Sequence, residues 1–252
     1  MRTAPHRPGA RPGTARISPA ALPLLTLLLA ALLVPLLPAP AQAREASPVV
    51  AACRADTGPY QRELERHLKR PVDGRQSEAD CRAIRAFQQR HKIPATGMAD
   101  VATYRTVLVQ QARSSPAARA GCPRRTYRVV CVDLARQILW VQTGRDGKLA
   151  LQPIPVRTGR QGLETRGGWH KIFRRVRHEV SRLYDNEPMP YSQYFDGGQA
   201  LHGTTRYLYS SGSAGCVNLR LPDAAALWRL LRVGDRVFVF GVKPGTNPRI
   251  LR

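Results

Sequence analysis

The spacing of apolar residues changes character along the chain. From Thr57 to about Gln111 it is helical: Tyr60, Leu64 and Leu68 form one stripe, Ile84, Phe87 and His91 a second, and Val101, Tyr104 and Leu108 a third. Pro71 with Asp73-Gly74, and Ile93-Pro94-Ala95-Thr96-Gly97, interrupt the stripes as turns. Ser77 fits the N-cap of the middle helix, with Asp80 three residues on to meet the helix dipole. The pattern predicts a small three-helix all-α unit over 57–111. Residues 112–125, with Ser114-Ser115-Pro116-Ala117-Ala118 and Gly121-Cys122-Pro123, have the composition of a linker.

Beyond the linker the period shortens to that of strands. Tyr127–Leu134, Gln137–Thr143 and Leu149–Thr158 are strand-like, and Gly144-Arg145-Asp146-Gly147 reads as a hairpin turn. Gly168–Val176 and Gln199–His202 are further strands. Pro222 opens a helix to about Leu231, and Val233-Gly234-Asp235 leads into a closing strand, Arg236–Phe240. A mainly β domain with one short helix is expected over 126–242, followed by a tail at 243–252.

The first 43 residues read as a cleaved secretory signal. Arg2, Arg7, Arg11 and Arg16 precede an uncharged, Leu-rich run from Leu22 to Leu37, and Ala41-Gln42-Ala43 is the small-residue pattern of a cleavage site. The run is short of the roughly 20 residues of a bilayer span, so an uncleaved anchor is the weaker alternative. An exported protein of the cell wall, periplasm or medium is expected, with no later membrane span.

The chain of 252 residues carries 40 Lys or Arg against 17 Asp or Glu, a formal charge of +23. Of the basic residues 35 are Arg, and they are spread rather than gathered in one stripe. That argues against nucleic acid as the partner and suits loose, salt-sensitive attraction to anionic polymers of the envelope. Five cysteines follow the signal: Cys53, Cys81, Cys122, Cys131 and Cys216. In an oxidising compartment Cys53 with Cys81 and Cys122 with Cys131 are candidate disulfides, leaving Cys216 free, although four cysteines allow three pairings.

Candidate chemistry gathers in Ala200-Leu201-His202-Gly203-Thr204 and Ser213-Ala214-Gly215-Cys216-Val217-Asn218-Leu219-Arg220. A Ser-, Gly- and Tyr-rich loop joins His202 to Cys216, so two strand ends can bring the side chains together. A cysteine nucleophile needs a base, and an imidazole can take the thiol proton and return it to a leaving group. Gly215 leaves room for substrate and exposes N–H groups suited to an oxyanion. One Cys and one His do not fill a zinc shell, so neither a metal nor another cofactor is expected.

These motifs carry two resemblances. Val72-Asp73-Gly74, Ala83-Ile84-Arg85-Ala86-Phe87-Gln88 and Thr96-Gly97-Met98-Ala99-Asp100 resemble the peptidoglycan-binding module built on three helices. His202-Gly203-Thr204 followed by Ser213-x-Gly215-Cys216-Val217-Asn218 resembles the signature of the L,D-transpeptidase catalytic domain, which cross-links bacterial peptidoglycan. Val156-Arg157-Thr158-Gly159, Thr165-Arg166-Gly167-Gly168-Trp169 and Met189-Pro190-Tyr191-Ser192 extend the likeness over about 125–242.

The second resemblance implies a β-sandwich. It also implies Cys216 as nucleophile, His202 as base, the Gly203 carbonyl orienting the imidazole, and Ser213 and Asn218 holding the loop. N–H groups of Gly215 and Cys216 would form the oxyanion hole, and Tyr191, Tyr184 and Arg220 are candidate substrate contacts. The implied reaction takes a tetrapeptide stem, releases D-Ala through a Cys216 thioester and makes a 3→3 cross-link. Water as acceptor would make a carboxypeptidase, and a lapsed enzyme that only binds the wall is the other alternative. The family's second His, before Gly-Cys, is Ala214 here.

Overall fold

The three helical stripes become α1 (Gln61–His67), α2 (Glu78–Arg90) and α3 (Val101–Ser114) in the computed structural model, which describes residues 53–184 and 186–246. The secretory-signal segment 1–43 lies outside the described residues, as does the tail from 247. Ser77 caps α2 with a reciprocal box: its Oγ accepts from Asp80 N–H at 3.1 Å, and its own N–H donates to Asp80 Oδ2 at 3.2 Å. Losing such a cap costs about 1 kcal/mol. Asp100 starts α3 in the same way, accepting from Thr103 N–H at 2.8 Å. Leu64, Ile84, Phe87, Ala99 and Val107 form the helical core.

The third stripe sits differently from its prediction. α3 buries Ala102, Thr103, Thr106, Val107, Val109 and Ala112, while Val101, Tyr104 and Leu108 are only half-buried. The reason is that α3 has neighbours on two sides. Val107 faces the helices, whereas Val109 and Ala112 pack with Cys122, Val129, Cys131, Ile138 and Trp140. Small Ala112 allows the close approach that a larger residue would block. The expected linker therefore begins as the last turn of α3 and continues through a 3-10 turn at Ala117–Arg119. The described helices and sheets belong to one compact unit. Two disulfides brace it, Cys53–Cys81 and Cys122–Cys131, each of a kind worth roughly 2–4 kcal/mol.

Among the described residues nine strands form two sheets: β1 (Val129–Asp133), β2 (Ile138–Thr143), β3 (Lys148–Pro155), β4 (Gly168–Lys171), β5 (Arg174–Val180), β6 (Pro188–Asp196), β7 (Gln199–Thr204), β8 (Val217–Arg220) and β9 (Arg236–Phe240). The first sheet runs β3-β2-β1-β9-β4 and the second β5-β6-β7-β8. The single strand expected over 168–176 is two. β4 pairs with β9 in the first sheet and β5 with β6 in the second, and buried Ile172 carries the chain between them. Helix α4 (Leu221–Leu230) has the expected proline in its first turn.

Val130, Val132, Leu139 and Val141 of the first sheet meet Leu201, Val217 and Leu219 of the second, with Leu227 and Leu231 from α4 and its end. Side chains alternate across a strand, so Leu201, Val217 and Leu219 point into this core. Ala200, His202, Cys216 and Asn218 then project from the opposite face.

Candidate active site

Strands β7 and β8 run parallel, with Leu201 opposite Val217 and His202 opposite Asn218. A parallel pair needs a crossover of about a dozen residues, and the Tyr- and Ser-rich segment 205–216 supplies it. His202 and Cys216 thus become diagonal neighbours on one face. They lie with Asn218 in a cleft of about 1090 Å³, walled by residues within 160–166, by Ser181–Tyr184 and Glu187 of the β5–β6 tip, and by 210–214.

Cys216 is the free cysteine among those described, half-buried against Met189, Tyr194 and Ala200. Its Sγ accepts from Ala200 N–H at 3.4 Å and donates to Gly198 O at 3.7 Å. Ser213 Oγ donates to Cys216 O at 2.5 Å and accepts from Gly215 N–H at 3.2 Å, closing a tight loop around the nucleophile candidate. Gly215 has φ +111°, and a Cβ there would stand 2.6 Å from Gln199 Nε2. Gln199 is itself pinned, donating to Glu164 O at 2.9 Å and accepting from Arg166 N–H at 3.0 Å. Thr165 Oγ1 donates to Gly215 O at 2.7 Å. Lys243 Nζ reaches across from the C-terminal side to Ser211 O, Gly159 O and Thr158 O at 2.7, 3.0 and 3.1 Å.

His202 is 4 % exposed. Its Nδ1 lies 2.8 Å from Gly203 O, and its Nε2 lies 2.7 Å from Asn218 Nδ2. Burial holds the imidazole below its usual pKa; the Gly203 carbonyl and Glu187 oppose this, and Arg157 adds to it. Burial pushes the Cys216 thiol up, against the Ala200 N–H and with Glu187. The two groups move in opposite directions, and both moves favour the neutral form. Among the described residues no hydrogen bond joins Sγ to the ring. Nor is any group of three His, Cys, Asp or Glu side chains gathered there to hold a metal ion.

Residues 127–239 match the family model of the L,D-transpeptidase catalytic domain, and 55–107 match that of a peptidoglycan binding domain. The structure is similar to that of an L,D-transpeptidase from Stackebrandtia nassauensis, with 39% identity over 76% of this chain and 96% of that one, and a TM-score of 0.58. The chain belongs to the L,D-transpeptidase family. The L,D-transpeptidase of Xylanimonas cellulosilytica is 24% identical over 74% of this chain and 96% of that one, with a TM-score of 0.42. One from Mycobacterium tuberculosis is 19% identical over 45% and 57%, also with a TM-score of 0.42. No curated protein matches the sequence.

In this L,D-transpeptidase fold the structure brings together Cys216, His202, Gly203, Ser213, Gly215 and Asn218, all singled out in the sequence. Tyr184 is on the cleft rim. Tyr191 and Arg220 are not in the cleft lining. Tyr191 takes φ +61°, which turns its ring toward Trp228 of α4, and exposed Arg220 reaches toward Tyr209. The sequence reading missed Arg157, Gln199, Thr165 and Lys243 as site residues. Arg157 is one of 35 arginines, and its charge does not distinguish it. Arg157 and Thr165 both lie in segments that carried the resemblance, which is the one signal that pointed near them.

Proposed function

We propose that this chain is an exported L,D-transpeptidase that joins peptidoglycan stems by 3→3 cross-links. The observation that carries the reading is the pairing of Cys216 and His202 on one face of adjacent parallel strands, at the floor of a cleft wide enough for a peptide. Cys216 Sγ attacks the carbonyl carbon of the third residue of a tetrapeptide stem as His202 Nε2, let go by the Asn218 NH2, takes the thiol proton. The oxyanion is met by the Cys216 N–H and by the Gly215 N–H once it leaves Ser213. The C–N bond to the terminal D-Ala breaks, the imidazolium returns its proton to the leaving amine, and a thioester remains on Cys216. The side-chain amine of a second stem's third residue attacks the thioester and gives up a proton through His202, restoring the thiol. Water in place of the amine gives a carboxypeptidase.

Several features support an anionic peptide as ligand. Arg160, Arg166, Arg174, Arg182 and Arg206 line the cleft, and stem peptides carry free carboxylates. The helical segment 57–111 acts as a wall-binding module joined to the catalytic domain at 126–242. The charge of +23 adds salt-sensitive attraction to anionic envelope polymers. Ala214, where the family's second His stands, favours one other reading: a lapsed enzyme that only binds the wall.

The test is the intact mass of the chain after incubation with a carbapenem, beside Cys216→Ala. One adduct on the parent and none on the variant supports the proposal. No adduct on a folded chain with reduced Cys216 supports the lapsed enzyme.

A further inference from the structure

Arg157 follows β3 and crosses to the second sheet. Its backbone forms an isolated bridge with Asn218, donating N–H to Asn218 O at 3.1 Å and accepting from Asn218 N–H at 2.8 Å. Its side chain binds the same residue. Nε and Nη2 donate to Asn218 Oδ1 at 3.0 and 2.8 Å, and Nη1 donates to Tyr207 O and Ser210 Oγ at 3.1 and 2.8 Å. Arg157 is 6 % exposed, and all three acceptors of these four bonds are neutral. A cation held this deeply on neutral partners is costly to bury, which calls for a reason specific to the site.

The reason follows from which groups can donate. A guanidinium only donates, so the Asn218 carboxamide must turn its oxygen to Arg157. Its NH2 then faces His202 Nε2 at 2.7 Å, and because NH2 also only donates here, Nε2 must present a lone pair. The ring proton is left on Nδ1, which donates it to Gly203 O at 2.8 Å. Donation runs one way, from Arg157 through Asn218 and His202 to Gly203. Without Arg157 the amide is free to turn its oxygen to Nε2; Gly203 O still takes the Nδ1 proton, so a ring protonated on both nitrogens satisfies both acceptors, and that ring has no lone pair for a thiol.

We propose that Arg157 is a positioning residue of this active site: through the Asn218 amide it keeps a donor, not an acceptor, against His202 Nε2 and so holds the ring neutral. Through Tyr207 O and Ser210 Oγ the same guanidinium ties down the crossover that delivers Cys216. The inference rests on the reading of His202 as the base. It adds a residue outside the His202 and Cys216 motifs.

The experiment is side-chain 15N NMR of His202 in the full chain, with the pH profile of Cys216 alkylation and the rate of carbapenem acylation. The parent is expected to show a neutral Nδ1–H ring at pH 7. Arg157→Met should let Nε2 take a proton at a higher pH than in the parent, move the acidic limb of the alkylation profile to higher pH, and slow acylation at least tenfold. Arg157→Lys, which restores charge without the paired donors, should recover the acidic limb but not the parent's Nε2 titration. If Arg157→Met does not fold, Asn218→Asp serves instead: it keeps acceptors for Arg157 but turns an acceptor toward Nε2, and should place a proton there. An unchanged Nε2 titration and acidic limb in Arg157→Met overturns the proposal even if Tm falls, as does an unchanged Nε2 titration in Asn218→Asp. The titration and alkylation readouts need no peptidoglycan turnover, so a failure of the transpeptidase reading is told apart from a failure of this one.

Discussion

Gly215 offers a quantitative check on the loop that presents Cys216. Its φ of +111° is one that an L side chain rarely adopts, and an added methyl would meet Gln199 Nε2 at 2.6 Å. Holding alanine at such a φ costs about 1–3 kcal/mol. Moving Gln199 off Glu164 O and Arg166 N–H leaves buried groups unpaired, at about 1–3 kcal/mol more. Gly215→Ala should therefore destabilise the fold by about 4 kcal/mol, a fall in Tm of about 8–16 °C for a unit of this size. Gln199→Ala alone should cost about 1–3 kcal/mol from the lost bonds. In the double variant the steric conflict is gone and only the backbone strain remains, so its cost should fall short of the sum by about 1 kcal/mol or more. Thermal unfolding gives all three values, and carbapenem adduct formation reports whether Cys216 is still presented. Wild-type Tm and acylation rate in Gly215→Ala, or strict additivity with Gln199→Ala, would refute this account of the loop.

Three more outcomes are expected. Because burial holds His202 below 6.5 in the folded chain, the unfolded chain binds more protons between that lowered value and 6.5. Stability should thus be lost as pH falls through 6.5, and urea titrations at several pH values should show a flatter dependence for His202→Asn. Cys216 alkylation by iodoacetamide should keep accelerating past pH 9, since the thiol sits above its usual value of 9.0; a plateau below pH 7 would instead reveal a thiolate–imidazolium pair. Helices and sheets should unfold in one calorimetric transition, because α3 contributes to both cores. Ala112→Leu should lower that single transition by overpacking, at about 1–3 kcal/mol, and two separate transitions would contradict the shared helix.

The elements legible in the sequence were those whose pattern is local. Ser77 with Asp80 announced α2, the Gly144–Gly147 turn announced the first hairpin, and Pro222 announced α4. The mainly β domain followed from period-2 runs. What was not legible depended on neighbours far along the chain. The buried face of α3 could not be read because it serves two cores, one of them built around a disulfide and Trp140 of the β domain. The break at Ile172 was hidden because a residue passing between two sheets is as apolar as one inside a strand. Strand β6 carries Pro188, Pro190, Ser192 and Gln193, which mask its alternation. At the site, the short motifs named the residues of β7, β8 and the loop between them. Arg157 acts on those residues from beyond β3, and Gln199 opens β7 just ahead of the motif but works through Glu164 and Arg166; both roles exist only once the sheets are packed.

The most direct measurement of the central claim is product analysis with disaccharide-tetrapeptide as the substrate, for the parent chain and Cys216→Ala. The account predicts free D-Ala, a cross-linked dimer whose peptide bond joins two third residues, and a transient thioester on Cys216, all lost in the variant. Unchanged substrate with the parent, or equal product from Cys216→Ala, would contradict it.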